Sequence, residues 1–359
     1  MIPEVAPDRR TRPGQHGRRC HVAWVCAVAQ WLLMLHPLLT QRRFGHVSGN
    51  PGALWNQAMR AGAFDVAWAI SDAVLRARDP ATRDDPALPY HLRWVWDGQG
   101  LDGRRVLVRC YHGLGDTLQF CRYLPALRRR AAQVTLEAQP ELLPLLRALP
   151  GPDRLIPFRL DAPAPASECD IEVMELAHAL RVSPDGAPYL SAEPLPRPAE
   201  GLLIGVCWQA GGWDPERSVP LPALAPLAQA PGVRLVSLQR GSGLTELSAA
   251  GAPPVLDPGD RSADVGTVAR LLATLDLVVT VDTMVAHLAG ALGRPTWLLL
   301  KAEADWRWMT GRRSRWYDSV RLYRQARPGQ WAKPLAQMRA DLRLLLRGNS
   351  GNPGANRRL

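Results

Sequence analysis

Residues 275–300, LDLVVTVDTMVAHLAGALGRPTWLLL, place two apolar runs on either side of a stretch with helical spacing. The first run is rich in β-branched residues and ends at Asp282, and the second begins at Pro295. This pattern predicts a buried strand, a helix through Gly290 and another buried strand. Strands that alternate with helices in this way are typical of a parallel sheet.

The same alternation extends from this segment toward the amino terminus. The second half of the chain opens with strand-like runs at 203–208 and 233–239, and an earlier half has such runs at 105–110, 134–138 and 154–158. A proline-rich stretch at 188–198 separates the two halves. We therefore predict an α/β fold of two Rossmann-like, doubly wound domains, at residues 99–195 and 196–346.

The segments outside these two domains have different patterns. Residues 47–98 contain two helical patterns around Gly62, which predict a helical hairpin that packs on the main body. Residues 1–46 have no periodic organisation before an apolar run at 22–39, so they are interpreted as an extension from a misassigned start, with a membrane anchor as the alternative. Residues 347–359 are predicted to be a disordered tail.

The composition limits the classes of function. Of the net charge of +11, residues 1–50 contribute five and residues 347–359 contribute three, so the body is nearly balanced. Nucleic acid is therefore not an expected partner, although an acidic membrane surface could attract the chain. The six cysteines have no metal-ligand spacing, which favours reduced thiols and a cytoplasmic protein.

The first candidate site is a glycine-containing turn after the strand at 105–110. Gly113 and Gly115 permit close backbone approach, and Asp116 supplies a carboxylate where the next helix starts. A helix N-cap explains the same aspartate without any catalytic role, because aspartate is common at that position. The turn alone leaves both interpretations open.

Two further candidate sites follow strands of the second half. Asp282, Thr283 and His287 meet near the first turn of a helix, where free N–H groups suit a diphosphate, although a capping aspartate and a core histidine are the alternative. Arg217, with Ser218 beside it, lies in a glycine-rich loop where it could bind phosphate oxygens or simply be solvated.

The order of five motifs resembles glycosyltransferase family 9, the heptosyltransferase-like enzymes, and in particular their branch attached to tetratricopeptide segments. The motifs are HGLGDTLQFCRYLPAL (112–127), WQAGGWDPERSVPL (208–221), VSLQRG (236–241), the segment 275–300 and DWRWM (305–309). This resemblance covers residues from about Arg104 to Leu346. It implies a GT-B fold, in which two Rossmann-like domains face each other across a cleft.

The resemblance also implies roles for individual residues. Asp116 matches the general base that deprotonates the acceptor hydroxyl. Donor contacts to the diphosphate and sugar are implied for Asp282, Thr283 and His287, which match a D-T-x-x-x-H motif. Arg217 and Ser218 would neutralise the leaving diphosphate, a role that a metal ion has in other transferases, so neither a metal nor a cofactor is expected. Gln239 matches a position near the nucleoside.

The resulting hypothesis is an inverting transfer of a heptose-like sugar or a hexose from a nucleotide diphosphate sugar. The acceptor would be a glycan, such as one in lipopolysaccharide biosynthesis, or a protein, and the enzyme would be cytoplasmic or peripheral at the inner membrane surface. Asp305 and Arg307 are expected to form a structural ion pair. The alternatives are a catalytically degenerate binding or scaffold protein, and a GT-B sugar-nucleotide epimerase that needs no acceptor.

Overall fold

The computed structural model describes residues 50–212, 214–259 and 264–349, with only the backbone at 348 and 349. The predicted extension at 1–46, its apolar run at 22–39 and nearly all of the predicted tail lie outside these ranges. Within the described part of the chain, no helix combines the length and the apolar character needed to cross a bilayer.

The first half contains a sheet of four parallel strands. These are β1 (Arg105–Arg109), β2 (Gln133–Ala138), β3 (Arg154–Pro157) and β4 (Cys169–Glu172). Their spatial order is β3-β2-β1-β4, so the chain winds outward from β1 in both directions. Helices α3 (Leu114–Phe120) and α4 (Leu124–Arg128) follow β1, α5 (Leu143–Leu146) follows β2, and α6 (Leu176–Leu180) follows β4.

The second half repeats this winding in a sheet of six parallel strands. The strands are β5 (Leu202–Cys207), β6 (Val233–Ser237), β7 (Val255–Leu256), β8 (Leu277–Val281), β9 (Thr296–Leu300) and β10 (Val320–Arg324). The helices are α7 (Ala225–Ala228), α8 (Val265–Thr274), α9 (Met284–Ala291) and α10 (Ala332–Asn349). The strand order β7-β6-β5-β8-β9-β10 is that of a doubly wound dinucleotide-binding sheet.

The fold class predicted from the sequence, two Rossmann-like α/β halves, is therefore confirmed. Each half has a topological switch point beside its first strand, between β1 and β4 and between β5 and β8. Every residue of β8 is buried, as expected for a strand covered by helices on both faces. Loops that leave the carboxyl ends of β1, β5 and β8 are the places where such sheets bind ligands.

A helical hairpin precedes the first sheet and packs on both halves, as expected. It consists of α1 (Pro51–Ala61) and α2 (Phe64–Ala77). From α1, the Arg60 guanidinium donates to the carbonyl of Ala304 at 2.8 Å, and from α2, Asp72 binds the His178 ring at 2.8 Å. The hairpin thus contacts the second half through α1 and the first half through α2, and Phe64 of α2 also meets Trp316 of the second half edge to face.

The two halves also meet directly where α3 packs against α9. A methyl group at Gly115 of α3 would lie 2.9 Å from Cδ2 of His287 and 3.7 Å from the Met284 backbone of α9. Only a residue without a side chain permits this close approach of the two helices. Gly115 therefore brings the carboxyl end of β1 next to the carboxyl end of β8.

Candidate active site

Asp116 lies in the first turn of α3, with both carboxylate oxygens engaged. Its Oδ2 accepts a hydrogen bond from the backbone N–H of Gly113 at 3.0 Å. The helix begins at Leu114 after Gly113, so Asp116 is its third residue and is not the N-cap that the sequence offered as an alternative. The bond back to Gly113 fixes the carboxylate at the helix start, with a quarter of the side chain exposed to solvent.

The second oxygen of Asp116 is bound from the other half of the protein. Oδ1 accepts from the Arg307 guanidinium at 2.6 Å. Arg307 also forms the expected ion pair with Asp305, at 2.9 Å, and donates to the Gln119 side chain at 2.8 Å. The prediction that Arg307 pairs with Asp305 is confirmed, but the arginine has a further partner in Asp116, which the sequence did not reveal.

The predicted donor residues on α9 lie together at its amino-terminal end. Thr283 directly precedes the helix, and its hydroxyl lies 3.3 Å from that of Thr280. His287 is buried, its Nδ1 lies 3.0 Å from the Tyr317 hydroxyl, and its ring stacks on Trp308 at 5.0 Å. Burial, together with the positive charges of Arg307, Arg122 and Arg217, holds the pKa of His287 well below its usual range, so the imidazole is neutral.

Arg217 reaches this helix from the loop after β5. Its guanidinium donates to the backbone carbonyl of Asp282 at 2.7 Å, and the side chain is buried. The alternative of a solvated loop arginine is therefore wrong. Ser218 beside it accepts from the backbone N–H of Ala210 at 3.1 Å, which ties down the start of the loop.

A second cation lies beside the same loop and was not predicted as a site residue. The ammonium of Lys301, which follows β9, is 2.9 Å from Asp214 and 3.4 Å from Glu216. Both acids come from the loop that carries Arg217. Since β9 and β8 are neighbours in the sheet, the loops after them place Lys301 and Asp282 at the same edge.

Gln239 is buried behind the loop and bonded to the protein backbone. Its side-chain oxygen accepts from the N–H groups of Trp208 and Gln209 at 3.1 and 2.9 Å, and its amide nitrogen donates to the carbonyl of Arg240 at 3.0 Å. These bonds hold the chain that leaves β5 against the chain that leaves β6. A contact with a nucleoside stays a prediction.

A half-buried histidine and a buried glutamate lie near Asp116 at the switch point of the first sheet. Nε2 of His112, just after β1, lies 3.8 Å from Oε1 of Glu172 at the end of β4. Burial lowers the pKa of His112 to about 4, opposed by Asp116 and assisted by Arg307. Burial also raises the pKa of Glu172 well above its usual range. Both shifts favour the uncharged forms of these two groups.

The structure thus brings together most of the predicted site residues. Gly113, Gly115 and Asp116 at the start of α3 lie beside Asp282, Thr283, His287 and Arg217 at the start of α9, whereas Gln239 lies behind them. A separate groove of about 720 Å³ lies between the hairpin, residues 181–185 and residues 314–318, and none of these site residues lines it. Within the described ranges, no group of three or more His, Cys, Asp or Glu side chains could hold a metal ion.

Asp282 carries a charge that is expected to destabilise the fold. Burial and the Asp305 carboxylate raise the pKa of Asp282 to about 6, with partial relief from Arg217. The pKa of Asp282 in the folded protein lies above its pKa in the unfolded chain. The stability that protonation of Asp282 provides is therefore fully present below pH 4 and is lost as the pH rises through 6. We expect Asp282→Asn to raise the free energy of unfolding at pH 8 by roughly 3 kcal/mol, with the gain disappearing toward pH 4.

Urea unfolding of both proteins at pH 4, 6 and 8 measures this difference. The same substitution at the exposed Asp257 is the control and is expected to change the free energy of unfolding by less than about 0.5 kcal/mol. An Asp282→Asn protein that is no more stable than the wild type at pH 8 would contradict the prediction. A charge retained at a cost in stability is typical of a ligand site.

Two doubly wound sheets define a class of fold, the two-Rossmann α/β proteins, in which ligands bind beside the carboxyl ends of the strands. Residues 263–302 match the family profile described as glycosyltransferase family 9 (heptosyltransferase). The resemblance to this family predicted from the sequence is therefore confirmed in the segment that carries Asp282, Thr283 and His287. The link to a tetratricopeptide-attached branch stays a prediction.

Similar proteins were found at the levels of sequence and structure. Protein FlbA of Caulobacter vibrioides is 28% identical over 302 residues, which cover 74% of this chain and 50% of FlbA, so the chain spans about half the length of this curated relative. A family 9 glycosyl transferase from Veillonella parvula has a TM-score of 0.49 at 14% identity over 64% of this chain and 88% of its own. The E. coli ADP-heptose lps heptosyltransferase II has a TM-score of 0.45 at 15% identity over 68% and 99%.

Proposed function

We propose that this protein is a glycosyltransferase that moves a sugar from a nucleotide diphosphate sugar to an acceptor hydroxyl by a single inverting displacement. One observation carries the proposal: the approach of α3 to α9 at Gly115 sets the carboxylate of Asp116 beside the helix terminus that matches the family profile. A base and a diphosphate site are the two parts that such a displacement needs, and here they come from different halves of the protein.

In this proposal the diphosphate lies at the amino-terminal end of α9. The free N–H groups of that first turn and the helix dipole favour an anion, and Thr283 adds a hydroxyl. Arg217 lies against the same turn through its bond to the Asp282 carbonyl, so its charge is close to the leaving group. These groups would stabilise the negative charge that develops as the bond to the anomeric carbon breaks.

The acceptor would be activated by Asp116. Its carboxylate is partly exposed and held in one orientation by the bonds from Gly113 and Arg307, so a hydroxyl can approach it without a change of rotamer. As the oxygen attacks the anomeric carbon, its proton passes to the carboxylate, and the nucleoside diphosphate leaves from the opposite face. The acceptor would be a glycan or protein hydroxyl, in the cytoplasm or at the inner face of the membrane.

A donor screen by calorimetry tests the proposal on the full chain. ADP-, UDP- and GDP-linked sugars are compared with a CMP-linked sugar, which lacks a diphosphate. We expect one diphosphate donor to bind at least about tenfold more tightly than the others, and the CMP-linked sugar to bind weakly, because the helix terminus and Arg217 are suited to two phosphates. A folded protein that binds none of the donors would favour the scaffold alternative, and release of an epimerised donor without an acceptor would favour the epimerase.

A further inference from the structure

Arg307 links the two halves of the site. Its guanidinium, with only 12% of the side chain exposed, donates to Asp116 and Gln119 of the first half and to Asp305 of the second. Three acceptors in different directions fix the planar guanidinium fully. The orientation of the Asp116 carboxylate therefore depends on where the second half places Arg307.

The hairpin fixes the turn that carries Arg307. Trp55 of α1 meets Trp306 edge to face, with the ring centroids 5.1 Å apart. Trp306 in turn lies under the Arg307 guanidinium, which is 4.4 Å from the ring centroid. Arg60, one turn further along α1, donates to the carbonyl of Ala304 at 2.8 Å. Both contacts from α1 thus act on residues 304–306, immediately before Arg307.

The other helix of the hairpin is anchored to the first half. Asp72 of α2 binds His178 and Arg181 at the end of α6, and Arg78 just after α2 pairs with Glu175 at 3.0 Å. Because α1 binds the Arg307 turn and α2 binds the half that contains Asp116, the hairpin sets the distance between the two partners of the ion pair.

We propose that the helical hairpin, residues 51–77, is a positioning element for Asp116 that acts through Trp306 and Arg307. The inference rests on the proposed function, since it assigns the hairpin a part in orienting the base. Neither Trp55 nor Arg307 is proposed to touch the substrate. Their effect is to hold one carboxylate orientation, so removing them lowers the fraction of complexes in which Asp116 faces the acceptor hydroxyl.

The kinetic test uses the full chain with the donor found by calorimetry. Trp55→Leu is expected to lower kcat about tenfold while KM for the donor stays within about twofold, because the donor site on α9 is untouched. Trp55→Phe keeps a ring against Trp306 and should recover most of the loss. Trp297→Leu is the matched control: it removes a buried indole from β9, and the ring contact of Trp297 is with Tyr323 of β10 rather than with the hairpin or the Arg307 turn. A kcat unchanged in Trp55→Leu, or lowered equally in Trp297→Leu, overturns the proposal.

A second test needs no sugar transfer. The coupling between Asp116 and Arg307 is measured from the unfolding equilibrium constants of Asp116→Asn, Arg307→Met and the double variant, first in the wild type and then with Trp55→Leu. We expect a coupling of about tenfold that falls to about twofold without Trp55, and persists in Trp297→Leu. An undiminished coupling overturns the proposal.

A milder variant covers the case in which Trp55→Leu does not fold. Arg60→Met removes the bond to the Ala304 carbonyl from a side chain that is 38% exposed, so the protein should fold. The same coupling is expected to fall about threefold in this variant, and no fall overturns the proposal. If the wild type transfers no sugar but the coupling depends on Trp55, the proposed function fails while the positioning of Asp116 by the hairpin stands.

Discussion

Asp116→Asn is expected to reduce kcat for sugar transfer about 10²- to 10⁴-fold, the usual contribution of a general base. The amide is nearly isosteric with the carboxylate and can still accept the bond from the Gly113 N–H, so α3 should begin at the same place. It cannot take a proton from the acceptor, however. KM for the donor should therefore stay within about threefold, and steady-state kinetics with the donor from the screen measures both quantities.

Asp305→Asn is the matched control for this prediction. Asp305 also pairs with Arg307, at 2.9 Å, so the substitution removes one carboxylate from the same arginine and leaves Asp116 in place. We expect a loss of kcat below about tenfold. If the two variants lose similar activity, Asp116 acts only through its charge on Arg307. Full activity of Asp116→Asn would rule out the role of base altogether.

The fold could be predicted because most of its strands are indicated by short apolar runs in the sequence. Seven strands of the described sheets, β1 to β3, β5, β6, β8 and β9, coincide with apolar runs that are visible in the sequence. Parallel strands covered on both faces must consist of such runs. The short helices were less predictable. Residues 221–228, for example, form a 3₁₀ turn at Leu221–Leu224 followed by α7 instead of one continuous helix, and each of the two has a proline in its first turn. Because proline lacks an N–H, it starts a turn more readily than it continues one.

Residues of the candidate site could be proposed from the sequence only where a family motif coincides with the end of a strand. Asp282, Thr283 and His287 could be assigned because they follow a recognisable strand within a few residues. The pairing of Asp116 with Arg307 has no such signal, since 191 residues separate the partners and no periodic pattern connects them. The buried position of Arg217 was likewise hidden, because a glycine-rich loop in the sequence does not reveal that it packs against α9.

These two kinds of residue have different parts in the proposed reaction. In the proposed reaction, the residues assigned from motifs would bind the donor at the second sheet, whereas Arg307 and the hairpin would determine how the first half faces that donor. The proposed base and the proposed donor site belong to separate sheets, so such a reaction needs contacts between the halves that are as well defined as those within them. The packing at Gly115 and the bonds of Arg307 supply such contacts.

Removing the charge of Arg217 should produce the other large loss of kcat for sugar transfer. We expect Arg217→Met to lower kcat for sugar transfer about 10²- to 10³-fold and to raise the Kd of the donor about tenfold, because the arginine stabilises the diphosphate more strongly as it leaves than when it is bound. Arg217→Lys keeps the charge but cannot both donate to the Asp282 carbonyl and contact phosphate with a planar fork. The kcat and Kd of this variant should therefore lie between those of the wild type and those of Arg217→Met. Calorimetry measures Kd, and initial rates at saturating donor measure kcat.

Arg234→Met separates this local effect from a general loss of positive charge. Arg234 is exposed on β6 of the same half, so its replacement changes the net charge equally and is expected to leave kcat and Kd within about twofold. A loss confined to Kd in Arg217→Met would mean that the arginine binds the donor equally in the ground state and the transition state. Departure of the diphosphate would then depend mainly on the N–H groups at the start of α9, and Thr283→Val, which removes the hydroxyl beside them, would become the substitution with the larger effect on kcat.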